Sequence, residues 1–348
     1  MTTMVAFLDV AGMSRWVAET GVERVLTELV SRMRSDFRRW PEFERAPRVA
    51  SHSPIGVIEL MPTSDGTTYG FKYVNGHPSN PAHGLQTVTA FGVLADVASG
   101  YPVFLAEMTL LTALRTAATS AMVAKALARP GSRTMGMIGS GSQSEFQALA
   151  FRGALGIDTL RVWDTDPAAM EKFRRNIEPY GFDVTICGSA EEATDGADVI
   201  TTCTADKANA DVLTDDMVGP GVHINAIGGD CPGKTELDLA ILRRSTVFVE
   251  HEPQTRIEGE IQQMPADFPV TEVWQVLTGA TPGRRSATEV TLFDSVGFAI
   301  EDFTALRHAN AATRGTSYVR DLDLIADPAD PKDLFQLLAP AVAQRATA

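Results

Sequence analysis

The spacing of hydrophobic positions changes several times along the chain, and each change marks a different kind of element. Residues 9–40 carry apolar side chains at helical spacing, such as Val25, Leu29 and Met33, with charged side chains opposite them. This pattern predicts one long amphipathic helix. Trp40-Pro41 ends it, because a residue that precedes proline avoids helical backbone angles.

From residue 48 the pattern changes to strands separated by turns. Asp65-Gly66, Asn75-Gly76 and Ser99-Gly100 are turn signals between the apolar runs. The pattern predicts an antiparallel β region, with strands at 57–62, 69–74, 86–94 and 102–106. A helix rich in small residues is then predicted from Glu107 to Leu127.

After residue 131 strands and helices alternate. Apolar runs that end in polar residues predict strands at 134–138, 159–164, 183–187, 198–204, 221–228, 246–250 and 290–297. Helices are predicted from Glu145, from Thr255 and over 298–312. The tail from Tyr318 is rich in proline and aspartate, with a last helix predicted from Asp333 to Gln344.

The first of these strands leads into Gly139-Ser140-Gly141 and then a helix, which is typical of a dinucleotide-binding βαβ unit. Gly139 permits the sharp turn, and Gly141 lets a pyrophosphate approach the backbone. The N–H groups at the helix start then point at the phosphates. Ser144 occupies the position of the usual third glycine, so we expect slightly looser packing of helix on strand.

Asp164 ends the second strand, at the place where a carboxylate holds the adenosine ribose hydroxyls. It disfavours a 2′-phosphate, so the motif predicts NAD rather than NADP. The alternative is an ordinary strand-to-helix turn that binds nothing.

Composition limits the partners. The 348 residues, 44% of them hydrophobic, suffice for two domains with their own cores. A net charge of −14 argues against nucleic acid and anionic membranes as partners, because both carry phosphate. Three widely spaced cysteines, no signal-peptide pattern and no run long enough to span a bilayer favour a cytoplasmic protein. The six histidines lack ligand spacing, so we predict no metal site.

These patterns predict an α/β fold of two domains. A β-rich α+β domain for substrate binding should cover residues 1–130, and a Rossmann NAD-binding domain residues 131–314. The tail 315–348 should leave the Rossmann domain and return to the first one.

Five charged residues are candidates for chemistry on an amino acid. Arg48, Lys72 and Arg115 can bind a carboxylate, and Asp230, after two glycines at a strand end, can move protons on an amine. Glu59 can hold a distal ammonium group. The structural alternatives are exposed strand charges for Arg48, Lys72 and Glu59, and an ordinary turn residue for Asp230.

Several motifs in order resemble the ornithine cyclodeaminase and mu-crystallin family, from about Arg48 to about Leu306. They are Lys72-Tyr73-Val74-Asn75-Gly76, Leu111-Thr112-Ala113-Leu114-Arg115-Thr116-Ala117-Ala118, Gly139-Ser140-Gly141-Ser142-Gln143, Gly228-Gly229-Asp230, Gly233-Lys234-Thr235-Glu236 and Phe293-Asp294-Ser295.

The resemblance implies an enzyme that converts L-ornithine to L-proline and ammonia, by hydride transfer from Cα to tightly held NAD and back. It also implies that the domain of residues 1–130 serves dimerisation, giving a homodimer, and that the enzyme has a role in arginine catabolism and proline biosynthesis. Asp230 would be catalytic, and the substrate-binding set would be Arg48, Glu59, Lys72, Arg115 and Val296. The implied cofactor contacts are Thr87, Arg115, Thr116, Gly139, Gly141, Ser142, Gln143, Asp164, Thr204, Asn225, Ala226, Lys234 and Ser295.

Two kinds of alternative remain open at this point. A ketimine reductase, an alanine dehydrogenase or a lysine cyclodeaminase would keep the glycines and the carboxylate-binding cations, and would differ near Glu59, Met61 and Val296. A non-catalytic binding protein of the mu-crystallin kind would keep the nucleotide fold without turnover, although the presence of Asp230 argues against it.

Overall fold

The computed structural model describes residues 4–205 and 211–338, and its strands form two sheets. The seven strands of the first sheet are β1 (Val5–Leu8), β2 (Val49–Ser53), β3 (Gly56–Ser64), β4 (Thr68–Gly76), β5 (Ala90–Asp96), β6 (Pro102–Glu107) and β15 (Arg320–Leu322). Their order in the sheet is β15-β1-β6-β5-β4-β3-β2.

The eight strands of the second sheet are β7 (Thr134–Ile138), β8 (Thr159–Trp163), β9 (Asp183–Ile186), β10 (Val199–Thr202), β11 (His223–Ala226), β12 (Thr246–Val249), β13 (Thr271–Glu272) and β14 (Thr291–Asp294). All are parallel, in the order β13-β12-β14-β11-β10-β7-β8-β9. The chain reverses its direction of winding between β7 and β10, which places the topological switch point beside the Gly139 turn.

Helices connect and cover both sheets. They are α1 (Val10–Thr20), α2 (Val22–Arg38), α3 (Thr109–Leu127), α4 (Ser144–Leu155), α5 (Pro167–Ile177), α6 (Ala190–Thr194), α7 (Leu239–Arg244), α8 (Glu252–Glu258), α9 (Val273–Thr278) and α10 (Ala299–Thr313). The predicted fold class, a Rossmann sheet plus a β-rich second unit, is confirmed by this arrangement.

The single helix predicted over residues 9–40 is wrong in one respect, because the chain forms two helices there. Gly21 has φ +88°, a left-handed angle that ends α1 and starts α2 in a new direction. Asp9 caps α1 by accepting a hydrogen bond from Gly12 N at 2.8 Å. The apolar face of α2 is buried as predicted, at Val25, Leu29 and Met33.

The predicted hairpins exist, but β5 starts later than predicted, and the first sheet contains strands that were not predicted. Strand β5 begins at Ala90 rather than at residue 86, because the Asn75 side chain binds Thr89 N at 2.6 Å and holds the preceding residues in a loop. Strands β1 and β2 were not predicted, and β1 pairs in parallel with β6. The short pair β13 and α9 was also not predicted, since two residues of strand leave almost no periodic signal.

Helix α10 lies on the inner face of the first sheet. Its Phe303 and Leu306 are buried there, and Asp302 pairs with Lys72 of β4. The chain therefore leaves the parallel sheet directly after β14. The division at residue 314 stays a prediction, and α10 belongs by its contacts to the first sheet.

The tail reaches the first sheet, where β15 runs antiparallel to β1 with Val5 opposite Leu322. Of the helix predicted from Asp333 to Gln344, the structure describes a single 3₁₀ turn at Leu334–Leu338, and residues 339–344 lie outside the described part. Among the described residues, no helix is long and apolar enough to cross a membrane.

Candidate active site

The predicted glycine turn lies at the carboxyl edge of the parallel sheet. Gly139 has φ +100°, and a Cβ there would come within 2.8 Å of the Cys203 backbone, so only glycine fits. The neighbouring strand β10 thus passes directly against the turn. Gly141 faces open space, because a Cβ at this position would meet no atom of the other described residues within 4 Å. This opening leaves room for a phosphate at the backbone.

Asp164 follows β8 and binds the glycine turn directly. Its Oδ2 accepts hydrogen bonds from Ser140 N at 2.7 Å and Ser140 Oγ at 3.0 Å, and its Oδ1 accepts one from Asp166 N at 2.9 Å. The carboxylate therefore fixes the turn. It stands beside the glycines, as a ribose-binding acid would.

The start of α4 fits an anionic ligand. Ser144 is fully buried and donates to Gly141 O at 2.7 Å, so the hydroxyl at the third-glycine position ties helix to turn. Gln143 Oε1 is buried, and no hydrogen-bond partner for it lies in the described part of the chain. Lys172, which the sequence analysis did not single out, donates to Gly141 O at 3.2 Å and pairs with Glu145 at 2.9 Å. Backbone N–H groups and a nearby cation suit a pyrophosphate.

The loops after β10 and β11 are tied together by Thr204, Lys234 and Glu236. Lys234 Nζ donates to Thr204 O at 2.9 Å, while Thr204 N and Oγ1 both donate to Glu236 Oε1. Asp230 lies 3.7 Å from Lys234 Nζ, and its side chain is 58% exposed. Burial would lower the pKa of Lys234, but Asp230 and Glu236 raise it above its usual value. The carboxylate of Asp230, which is proposed to be catalytic, is thus exposed to solvent and lies next to the charged Lys234.

Two other predicted cofactor residues are held from inside the protein. Asn225 is fully buried, and its amide donates to Gln147 Oε1 and Thr201 Oγ1 at 3.2 Å each, so its side chain points into the protein. Ser295 donates to Glu250, a buried carboxyl after β12. Burial and the charge of Glu301 raise the pKa of Glu250 to about 8.

Arg115 and Lys72 share one buried carboxylate. Lys72 Nζ lies 2.8 Å from Asp302 Oδ2, and Arg115 Nε lies 2.9 Å from Asp302 Oδ1. Arg115 also pairs with Glu301 at 2.7 Å. Burial and the charge of Arg115 lower the pKa of Lys72 to about 8, whereas Asp302 and Glu301 outweigh burial and raise the pKa of Arg115. Gly297 (φ +71°) touches the guanidinium, since a Cβ there would lie 2.6 Å from it.

Arg48 is surrounded by acceptors on all sides. Its guanidinium meets Glu59 at 3.2 Å, Glu258 at 3.2 Å and the carbonyls of Val296 and Gly297 at 3.0 and 2.7 Å. Arg48 therefore joins β3 of the first sheet to the loop after β14 of the second. Neither Arg48 nor Glu59 is the exposed strand charge of the alternative interpretation, because their side chains are only 8% and 11% exposed.

Glu258 is a member of this group that the sequence analysis did not assign. Burial, together with the charges of Glu59 and Asp230, raises the pKa of Glu258 to about 7, although Arg48 opposes the shift. Arg48 thus faces two carboxylates, Glu59 and Glu258, and the charge of a third, Asp230, acts on Glu258. Such an excess of negative charge fits a ligand with a cationic group.

The structure brings the five predicted substrate residues into one group, in which Arg48 and Arg115 both contact Gly297. Asp230 acts on this group through its charge, which raises the pKa of Glu258. Thr116 follows Arg115 on α3, Ala226 at the end of β11 accepts a hydrogen bond from Ser295 N at 2.9 Å, and Thr87 lies in the loop before β5. Sequence reasoning missed the partner carboxylates Glu250, Glu258, Glu301 and Asp302. Within residues 4–205 and 211–338, no cluster of His, Cys, Asp and Glu side chains could hold a metal ion.

The parallel sheet carries this glycine turn, and cations of the mixed first sheet reach the same edge. This arrangement defines a dinucleotide-binding subunit of two sheets. The chain belongs to the ornithine cyclodeaminase/mu-crystallin family, whose model matches residues 11–316. The resemblance read from the motifs is thereby confirmed. The ornithine cyclodeaminase of Brucella suis biovar 1 (strain 1330) is 63% identical over 335 residues, which cover 96% of this chain and 94% of that protein.

Solved structures agree with this assignment. A lysine cyclodeaminase, described with its recognition of L-lysine, L-ornithine and L-2,4-diaminobutyric acid, matches with a TM-score of 0.88 at 33% identity, over 95% of this chain and 98% of that one. An archaeal alanine dehydrogenase dimer with bound NAD matches with a TM-score of 0.83 at 30% identity, over 93% of this chain and 100% of that one.

Proposed function

We propose that this protein is an NAD-dependent ammonia-lyase that converts L-ornithine to L-proline and ammonia. The observation that carries the proposal is the group around Arg48, where Glu59 and Glu258 face one guanidinium beside the Lys72–Arg115 pair. Cations for a carboxylate and spare carboxylates for a second ammonium group together fit a diamino acid. Relatives at 63% and 60% identity, from Brucella suis and Agrobacterium fabrum, carry the name of this activity.

The residues for NAD follow from the geometry of the sheet edge. The open backbone at Gly141 and the N-terminus of α4, including Ser142 and Gln143, would hold the pyrophosphate, and Asp164 would hold the ribose. Thr204, Lys234 and Ser295 lie on the loops that follow β10, β11 and β14 and would border the nicotinamide end. When bound, NAD supplies the acceptor and then the donor of the hydride at the substrate Cα.

Substrate binding would replace the Arg48–Glu59 ion pair of the free protein by two ion pairs, one from each of these residues to the substrate. When the ornithine carboxylate reaches Arg48, it competes with Glu59, whose oxygens lie 3.2 and 3.3 Å from the guanidinium. The released Glu59 then becomes free to accept the δ-ammonium group. Each charge is again paired, and a monoamino acid would leave Glu59 without a partner in a site where an unpaired charge is costly.

Asp230 would move the protons. Its exposed carboxylate lies on the loop after β11, 3.7 Å from Lys234, and its charge acts on Glu258. It can accept a proton from the α-ammonium and return it to the ammonia that leaves when the δ-amine closes the ring. Ring closure is favoured because the attacking amine and the carbon belong to one molecule. The balance is one ornithine to one proline and one ammonium, with no net oxidation.

Product analysis tests the proposal. The pure protein incubated with L-ornithine and catalytic NAD should release proline and ammonia in equal amounts, without net NADH. Ornithine deuterated at Cα should yield proline that retains the deuterium. Stoichiometric NADH with a keto acid would instead identify an amino acid dehydrogenase. A panel of lysine, alanine and cyclic imines would reveal a lysine cyclodeaminase, an alanine dehydrogenase or a ketimine reductase.

Asp164→Ala should weaken NAD binding and reduce discrimination against NADP. The substitution removes the charge that repels a 2′-phosphate and the acceptor that holds Ser140. Fluorescence titration with both cofactors measures the ratio of the two Kd values. Asp166→Ala, which removes the N-cap of α5 two residues further on, is the matched control and should leave that ratio unchanged. An unaltered preference in Asp164→Ala would place the ribose elsewhere.

Glu258→Gln should change the pH dependence of kcat/KM, which reports groups of the free enzyme. A carboxyl with its pKa raised to about 7 is half protonated at neutral pH, and only the ionised form attracts a cationic substrate. Wild-type kcat/KM for ornithine should therefore rise with pH through about 7. It should fall above about 8, as Lys72 loses its proton.

In Glu258→Gln the rise through pH 7 should disappear, while the fall above 8 remains. Glu252→Gln, on the same helix but paired with Arg256 away from the site, provides the control. An unchanged acidic limb in Glu258→Gln would remove this carboxyl from substrate binding.

We also propose a homodimer that forms through the outer face of the first sheet. This face exposes Val49, Ile58, Leu60, Tyr69 and Phe91, each between 38% and 65%. The pairing registers of β2 to β5 place them side by side, which makes one broad apolar surface. A second copy is the partner that we infer, because a structurally similar alanine dehydrogenase is a dimer.

Leu60→Glu/Phe91→Glu should therefore convert a dimer to a monomer in light scattering, because charges would be buried at the contact. Val10→Glu, at an exposed apolar residue of α1, should remain dimeric. A monomeric wild-type protein would contradict the proposal.

We also infer a metabolic role from the proposed conversion of ornithine to proline. The enzyme would act in the cytoplasm, in arginine catabolism that leads to proline.

A further inference from the structure

A second cleft lies on the other side of α10 from the substrate group. Its volume is about 650 Å³, within the range of roughly 300–1,000 Å³ typical of small-molecule sites. The walls come from α2, from β4, β5 and β6, and from the later turns of α10. None of the residues assigned above to substrate or cofactor lines it.

Arginines dominate the polar lining of this cleft. Arg32, Arg39, Arg307 and Arg314 all face it, against Asp36 and Asp96. Such a concentration of positive charge is unusual in a chain of net charge −14. Guanidinium groups favour carboxylates and phosphates, which they bind with two parallel hydrogen bonds.

The four arginines differ in their ion pairs with carboxylates of the protein. Arg39 is fully engaged, at 2.9 Å from both Asp36 and Asp65, whereas Arg307 lies a longer 3.5 Å from Asp36. Across the described ranges 4–205 and 211–338, Arg32 and Arg314 have no ion-pair partner. The rim of the cleft therefore offers guanidinium groups to a ligand.

Two buried polar atoms on the α10 wall also have no hydrogen bond within the described residues. They are His308 Nε2, on a side chain that is only 4% exposed, and Asn310 Oδ1. Burial lowers the pKa of His308, which favours the neutral ring, although Glu28 at 3.6 Å opposes this shift. Buried polar atoms normally find partners, so this wall of the cleft contains polar groups that the described residues leave unsatisfied.

We propose that this cleft is a regulatory site for a small anion that carries a carboxylate or phosphate group. Helix α10 connects it to the substrate group. Thr304 donates to Asp36 at 2.7 Å in the cleft, and two residues earlier Asp302 holds Lys72 and Arg115. An anion that draws Arg307 away from Asp36 alters the contact between α2 and α10. Along the helix, Arg307 lies about 7–8 Å from Asp302. Occupancy of the cleft therefore changes the KM for the amino acid.

Isothermal titration calorimetry of the NAD-saturated protein, at constant ionic strength, tests binding with inorganic phosphate and with succinate as separate probes. At least one should bind saturably to the wild type, and the one that binds identifies the preferred anionic group. Arg32→Ala/Arg314→Ala should weaken binding by about tenfold or more, the effect of lost charge-assisted contacts. The control is Arg34→Ala, an exposed arginine of α2 outside the cleft, which should bind like the wild type.

The site proposal fails if neither anion binds saturably, if Arg34→Ala weakens binding equally, or if the double variant binds like the wild type, since the ligand would then lie elsewhere. In ornithine turnover, the bound anion should shift the KM of the wild type and of Arg34→Ala but not that of the double variant. Binding without any change in KM would overturn the regulatory role. Calorimetry needs no turnover, so a failure of this site is distinguishable from a failure of the proposed reaction.

Discussion

Asp230→Asn is expected to bind NAD and ornithine almost normally and to lose turnover by on the order of 100-fold or more. The amide keeps the size of the side chain but cannot accept a proton from the substrate amine. Asp230 is well suited to such a role, because its side chain is 58% exposed and is not committed to the fold. Its loss should therefore cost little stability, which separates a chemical defect from a folding defect.

The measurements for Asp230→Asn are steady-state kinetics, NAD titration and thermal unfolding on the same preparation. Lys234 provides the useful comparison, because it touches both Asp230 and Thr204. Lys234→Met should harm cofactor binding as well as rate, whereas Asp230→Asn should harm the rate alone. A near-normal kcat in Asp230→Asn would remove this carboxylate from the mechanism.

The nucleotide-binding half of the molecule could be predicted in most of its elements from local sequence. Strand, glycine turn and helix follow one another within about 20 residues, and the conformation of Gly139 is required by the turn itself. The boundary of β5 and the break at Gly21 could not be predicted in the same way. One depends on a side-chain contact from Asn75, and a single glycine inside a helical pattern is usually tolerated.

The candidate site was predictable in its cations and less so in its carboxylates. Lys72 and Arg115 stand out, since a charge within an apolar or small-residue segment needs a partner. Those partners, Glu301 and Asp302, lie 186 and 230 residues further along the chain. At the start of a helix, acidic residues are ordinary, because they interact favourably with the helix dipole. Only the packing of α10 on the first sheet assigns them to the cations.

That packing also explains how the two sheets cooperate. The loop 295–297 leaves the parallel sheet, is held by Glu250 and offers carbonyls to Arg48. It then enters α10, whose first turn holds Arg115 and Lys72. The cations for the substrate are thus positioned from the cofactor side, so substrate and cofactor are placed relative to each other by one short segment.

Asp302→Ala should lower the free energy of unfolding by about 3–5 kcal/mol, the usual cost of removing one partner of a buried ion pair. Asp302 and Lys72 are each only 1% exposed, and Arg115 Nε shares the same carboxylate. Without Asp302, Lys72 must stay charged and unpaired, or lose its proton, and both outcomes destabilise the folded state. The substrate site should be lost as well, because its cations lose their positions.

The double variant Lys72→Met/Asp302→Leu tests whether the unpaired charge of Lys72 causes the loss of stability in Asp302→Ala. It removes both charges and fills the space with apolar side chains, while Arg115 keeps Glu301 at 2.7 Å. Replacing a buried pair by apolar groups is often neutral or stabilising. In urea denaturation the double variant should therefore be more stable than Asp302→Ala, although both should be inactive with ornithine. If the free energy of unfolding of Asp302→Ala lies within about 1 kcal/mol of the wild-type value, the Asp302 carboxylate does not hold these cations in solution.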